Sequence, residues 1–193
     1  MKRNLKTILI GIVVVLLIVG YYFYLSNWDA SGAREEEPKV SATETVLDKD
    51  LENNYPKTPR AVIKYFNQVV TCLYNDTYTE REMKKMGRQQ LTLLDKELLV
   101  ENSEDEFMTK LKQEVQSFKK NKKRMVNTYV SNTEDIVYKE VDGRECAYVT
   151  ASYFVDEDGS YSKTYQRYVL RKDEDGKWKI LVFYLIEGVS EDE

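Results

Sequence analysis

The sequence predicts an α+β fold in which three helices pack on an antiparallel four-stranded sheet, preceded by one transmembrane helix. Three observations carry that expectation. Residues 7–25 hold no charged side chain. From Thr58 to Phe118 apolar residues recur every three or four positions, the period of helices with one buried face. After Met125 the pattern turns strand-like, and the pairs Asp142-Gly143, Asp158-Gly159 and Asp175-Gly176 punctuate it as hairpin turns.

The uncharged run, TILIGIVVVLLIVGYYFYL, makes a helix of about 28 Å, close to the ~30 Å hydrocarbon core of a bilayer. It is apolar on all sides, unlike a helix at the surface of a globular domain. Lys2, Arg3 and Lys6 precede it, whereas Asp29 and Glu35 to Glu37 follow. Cationic flanks resist translocation, so residues 1–6 are expected in the cytoplasm and the rest outside, on a single-pass anchor in the cell membrane. Tyr21, Tyr22, Tyr24 and Trp28 crowd the outer end, where rings with a polar tip suit the headgroup layer. A cleaved signal peptide shares the basic start, and Ser31-Gly32-Ala33 supplies small residues. The apolar run is longer than such peptides carry, and the small residues lie beyond bulky aromatics, so an uncleaved anchor is favoured.

Composition removes several chemistries. The chain of 193 residues contains no histidine, hence no imidazole general base, no imidazole metal ligand and no triad built on one. Its net charge of −4 is mild and implies no nucleic-acid partner. The two cysteines, Cys72 and Cys146, cannot make a structural zinc site alone; outside the cell they can pair, or serve as small buried hydrophobes. No cofactor, metal site or catalytic residue is expected.

Residues 26–57 are polar, acid-biased and aperiodic, and are expected to form a disordered extracytoplasmic linker whose last part, around Tyr55-Pro56, can pack against the domain. The domain, residues 58–187, opens at Thr58-Pro59, an N-cap followed by proline at the first helical position. Val62, Ile63, Phe66, Val69, Val70 and Leu73 give the first helix its stripe, and Asn75-Asp76-Thr77 its stop. Thr79 to Glu82 is a capping box that starts a second helix, with Gly87 expected to end or kink it. Leu91, Leu94, Leu98 and Leu99 mark another helical piece. A second box, Ser103 to Glu106, opens a third helix whose buried face is Phe107, Leu111, Val115 and Phe118.

The helix ends in Lys119, Lys120, Lys122, Lys123 and Arg124. Cations at the negative end of a helix dipole explain the cluster, and a patch for anionic envelope polymers is the sharper alternative. Tyr129, Val130, Ile136, Val137 and Tyr138 suggest a first strand, broken near Ser131-Asn132. Cys146 to Val155 form a second, with Ala147, Val149, Ala151, Tyr153 and Val155 on one face. A third covers Tyr161 to Arg171. The fourth is apolar on both faces from Ile180 to Ile186, which predicts a position covered on both sides. Residues 188–193 are an acidic tail. The runs Asp156 to Gly159 and Asp173 to Gly176 imitate the start of a calcium loop, but Arg167 and Tyr184 stand where its bidentate Glu is needed, so turns are expected instead.

Three helices followed by a meander ending in Gly176-Lys177-Trp178-Lys179-Ile180 resemble the nuclear transport factor 2-like superfamily, which includes ketosteroid isomerase and SnoaL-type polyketide-cyclase-like domains. The resemblance covers Thr58 to Glu187. It implies a strongly curved sheet wrapped round a long helix, a cone with a pocket. Tyr55-Pro56-Lys57-Thr58-Pro59, with Leu94 to Leu99, is also similar to an uncharacterised family of single-pass bacterial membrane proteins. The expected function is a membrane-anchored extracytoplasmic binding or interaction module with the lipid bilayer, and a cell-envelope protein, as partners. Two alternatives are an isomerase- or dehydratase-like pocket enzyme on the same fold and a binder of anionic polymers through residues 119–124.

Overall fold

The structure, a computed structural model, describes residues 41–100 and 103–187. The expected span 7–25, its interfacial aromatics and the tail 188–193 lie outside those residues. Among the described residues no helix is long and apolar enough to cross a membrane.

The α+β expectation holds, with more elements than the sequence predicts. Among the described residues five helices, α1 (Ala42–Leu47), α2 (Pro59–Asn75), α3 (Glu80–Leu93), α4 (Lys96–Val100) and α5 (Glu104–Lys120), precede a curved antiparallel sheet. Its strands are β1 (Lys123–Val130), β2 (Val137–Val141), β3 (Arg144–Glu157), β4 (Ser160–Lys172) and β5 (Trp178–Ile186). Their order is β1-β3-β4-β5, and β2 also pairs with β3.

Five strands replace the expected four because the first is truly interrupted. β1 pairs with the far end of β3 (Val130 opposite Ala151) and β2 with the near end (Val137 opposite Tyr148), so the two lie end to end. Between them a 3-10 turn, Thr133–Asp135, lifts the chain off the edge and buries Ile136.

The caps fall where the sequence puts them. Thr58 accepts from the Ala61 amide, and the Thr79–Glu82 and Ser103–Glu106 boxes are both closed. Each satisfies an amide that has no partner inside the helix. Gly87 neither ends nor kinks α3, which runs on to Leu93. Its missing side chain makes room: a Cβ there would stand 2.6 Å from Met108 Sδ and 3.1 Å from Leu111 Cδ2 of α5.

The expected linker also differs in its second half. Ser41 caps α1, and Val46, Leu47, Leu51 and Tyr55 join the core. Tyr65 donates its hydroxyl to Val46 O and Tyr55 donates to Trp178 O. Gln89 donates to Val46 O at 2.8 Å. Leu47, Leu51 and Tyr55 recur every fourth residue, a short stripe that polar neighbours obscure and that a groove on α2 and α3 receives.

The inner face of the sheet, with Ala147, Val149, Ala151, Leu170 and Ile180 fully buried, lies against α2. Asn75, in the stop of α2, exchanges two hydrogen bonds with the Met125 backbone and so fixes β1 to that helix. The β2–β3 and β3–β4 turns hold Asp142, Gly143, Asp158 and Gly159 all at positive φ, the backbone that Asp-Gly supplies. Asp156 and Asp173 direct their carboxylates to amides of their own turns. Among the described residues no acidic cluster fit for a metal ion occurs.

β5 is an edge strand, not one covered on both sides. Leu94-Asp95 covers its first half, with the Asp95 amide donating to Ile180 O at 2.8 Å. Beyond it, Val182 to Leu185 are exposed.

Asp95 sits in the α3–α4 connection and meets Arg171 of β4 in a fork: Nε to Oδ2 at 3.1 Å and Nη2 to Oδ1 at 2.7 Å. Asp95 is 3% exposed and Arg171 7%. Glu97 adds a second carboxylate 2.9 Å from Arg171 Nη2. Burial opposes the charged form of Asp95, but the guanidinium and the Glu97 amide outweigh it and hold the carboxyl below its ordinary range. Cys72 and Cys146 are buried and free.

Replacing Asp95 by Asn leaves Arg171 with one formal partner, and we expect about 3 kcal/mol of lost stability in urea unfolding at pH 7. Asp95→Leu combined with Arg171→Met should recover most of that. A depressed carboxyl favours folding above its unfolded pKa. Stability of the wild type should therefore fall as pH drops below about 4, and less steeply in Asp95→Asn.

Candidate functional site

The helices do not fill the concavity of the sheet. Between α2, α3, α5 and the inner faces of β3 to β5 lies a cavity of about 400 Å³. Its wall is mainly apolar: Phe66 and Val70 from α2, Phe107 and Leu111 from α5, Val155 from β3 and Phe183 from β5. Helical spacing turns Phe66, Val70 and Leu73 of α2 to the same side, and strand alternation does the same for Tyr153 and Val155.

A polar chain crosses this wall. Tyr153 Oη stands 2.8 Å from Asn67 Oδ1 and 2.5 Å from Tyr168 Oη, which is 2.7 Å from Gln166 Oε1. Two hydroxyl protons cannot serve three such contacts, so an amide at one end must donate an N–H. Asn67 is the end that fits. Its Nδ2 is buried without a partner as placed, and turning the amide presents that nitrogen to Tyr153. The proton order then runs from Asn67 N–H to Tyr153, on to Tyr168, and into Gln166.

Both hydroxyls are neutral at physiological pH. Burial pushes Tyr153 up to about 12 against the opposing pull of its hydrogen bonds, and raises Tyr168 well above the ordinary phenol value. Tyr168 is fixed between Phe66, edge-on at 6.0 Å, and Phe183, stacked at 5.4 Å. At the mouth Tyr74 donates to the exposed carboxylate of Glu114 and stacks on Phe118 at 4.1 Å. Its hydroxyl is also raised, by burial first and then by Glu114. The site can enclose an apolar body and offer it neutral hydrogen-bonding groups. Among the described residues its lining holds no buried carboxylate.

Gln90 of α3 joins the wall and is only 3% exposed. Sequence reasoning misses it, along with Asn67, Tyr168 and the Asp95–Arg171 fork. Polar residues inside an apolar stripe are the available signal: Asn67 between Phe66 and Val69, and Gln89-Gln90 before Leu91. Tyr153 is expected on a strand's apolar face and stands there, but nothing local points to its partner on β4.

The basic cluster is elsewhere, at the α5–β1 turn. Lys119 donates to Asp76 O at 2.7 Å and covers the Tyr78 ring. Lys122 faces Asp158 at 3.6 Å, Lys123 faces Glu157 at 3.0 Å and Arg124 faces Asp156 at 3.8 Å. Antiparallel pairing of β1 with β3 brings the acidic β3–β4 turn beside these cations. Lys120 stays exposed in the last turn of α5. Tyr21, Tyr22, Tyr24 and Trp28 lie outside the described residues.

The family model described as Domain of unknown function (DUF6715) matches residues 1–183. No curated protein matches the chain.

The raised hydroxyls set an alkaline limit. A phenol whose pKa is higher in the fold stabilises the protein below its unfolded value, and that stability is lost as pH rises from about 10 towards 12. Urea unfolding should show this decline in the wild type, and a shallower one in Tyr153→Phe.

Proposed function

The chain belongs to the DUF6715 family, a family of unknown function, and on that footing we propose that it is a membrane-anchored binding module whose cavity receives the apolar part of its ligand or partner. The observation that carries the reading is the cavity itself: open, about 400 Å³, mostly apolar, with its hydroxyls held neutral. Pockets of that size and lining suit small molecules and protruding apolar side chains.

The anchor is residues 7–25, with the N-terminus in the cytoplasm and the body in the extracytoplasmic space. The family match includes this stretch. The arrangement of helices against a curved sheet with a cavity inside supports kinship with the nuclear transport factor 2-like, cone-shaped domains. The role is binding rather than catalysis. Enolising chemistry on such a scaffold needs a base in a dry site, whereas Glu114 is exposed and the sequence contains no imidazole. The anionic-polymer alternative is less supported, because four cations of the cluster already face local partners.

Two measurements test the proposal. Protease added to intact cells should remove the body of the full chain, and protection of that body overturns the topology. The full chain in bilayer nanodiscs should bind 2-methylnaphthalene beyond empty nanodiscs, and Val70→Trp, which fills the cavity, should abolish the excess. An equal signal in both proteins would sink the pocket reading.

A further inference from the structure

Gln89 and Gln90 are neighbours on α3 with opposite fates. Gln89 turns towards the α1 segment and donates to Val46 O at 2.8 Å and Lys49 O at 3.3 Å. Gln90 turns to the cavity. It is 97% buried, and among the described residues its side-chain amide has no hydrogen-bond partner. A carboxamide carries two N–H donors and an oxygen with two lone pairs. Its nitrogen and oxygen are not closed off in the wall: they border the open cavity, where whatever enters can meet them. Among the described residues no other side chain uses that amide, so it is free to bond a molecule held in the cavity.

The surroundings restrict what completes it. The hydroxyls nearest the polar wall are uncharged, and the charged side chains of the lining, Lys110 and Glu114, are exposed at the mouth. A ligand that carried a full charge inwards would meet no countercharge among these groups. An uncharged group with adjacent donor and acceptor matches the amide edge of Gln90 with two parallel hydrogen bonds.

We propose that the cavity binds an uncharged, mainly apolar molecule bearing a carboxamide or an equivalent donor–acceptor pair, with Gln90 as the residue that recognises that group. This rests on the pocket reading above and adds the ligand's polar chemistry.

Three probes of one shape separate the two ideas: 2-methylnaphthalene, naphthalene-2-carboxamide and naphthalene-2-carboxylate. Each is titrated against the full chain in nanodiscs, with empty nanodiscs as blank. The carboxamide should bind about tenfold more tightly than the methyl compound, the yield of one good hydrogen-bonded pair, and the carboxylate more weakly than either. Gln90→Leu should erase the tenfold advantage while keeping methylnaphthalene binding. Gln90→Glu, folded by circular dichroism, should also lose the advantage. If methylnaphthalene binds but the carboxamide gains nothing, or if Gln90→Leu keeps the gain, this inference fails and the pocket survives. If no probe binds the wild type, the pocket reading falls and takes this inference with it.

Discussion

Arg171 and Asp95 carry opposite charges into the interior, and the two walls of the cavity are held through them. Asp95 follows directly on α3, five residues after Gln90. Arg171 lies on β4, three residues after Tyr168. The fork between them fixes the connection after α3 against the last residues of β4, an inner strand, with two directed bonds. Apolar contact alone tolerates sliding, because it depends on area and is indifferent to direction. The charged fork does not, since a displaced partner leaves a buried guanidinium unmatched. The price is desolvation of both groups, offset here by a second carboxylate, Glu97, and by the amide that Asp95 accepts from it.

From that fixed frame the cavity follows. α2 lies along the inner face and α5 is brought against α3 where Gly87 offers no side chain. The space left over is bounded by large rings whose positions are set by each other: Tyr168 between Phe66 and Phe183, Tyr74 on Phe118. Polar atoms in the wall are linked in series, so the orientation of Asn67 decides the direction of every proton beyond it. A wall ordered this way is pre-formed, and a ligand entering it meets groups that have already lost their freedom.

Local signals are legible in the sequence and tertiary ones are not. Thr58-Pro59, the two capping boxes and the Asp-Gly turns act within a few residues, and each stands where the sequence places it. Gly87 misleads because its meaning depends on Met108 and Leu111, which belong to a different helix. The helix α1 carries signals that are easily passed over: Ser41 to Glu44 is a capping box and Leu47, Leu51 and Tyr55 recur every fourth residue, but the run is short, its neighbours are acidic, and a groove made by other elements is what buries it. The apolar run of β5 declares hydrophobicity without saying what would cover it. Of the candidate site, Phe66, Val70 and Leu73 can be foreseen as one face of a helix. The polar members cannot, since a lone Asn, Gln or Arg in an apolar segment declares a need for a partner without naming it.

The far half of β5 leaves a length of backbone whose amides and carbonyls face outward beside Val182, Phe183, Tyr184 and Leu185, the last 69% exposed. Such a border is a template on which any extended chain can continue the sheet. Glu187, exposed just past the strand, sets one carboxylate at the end of that border.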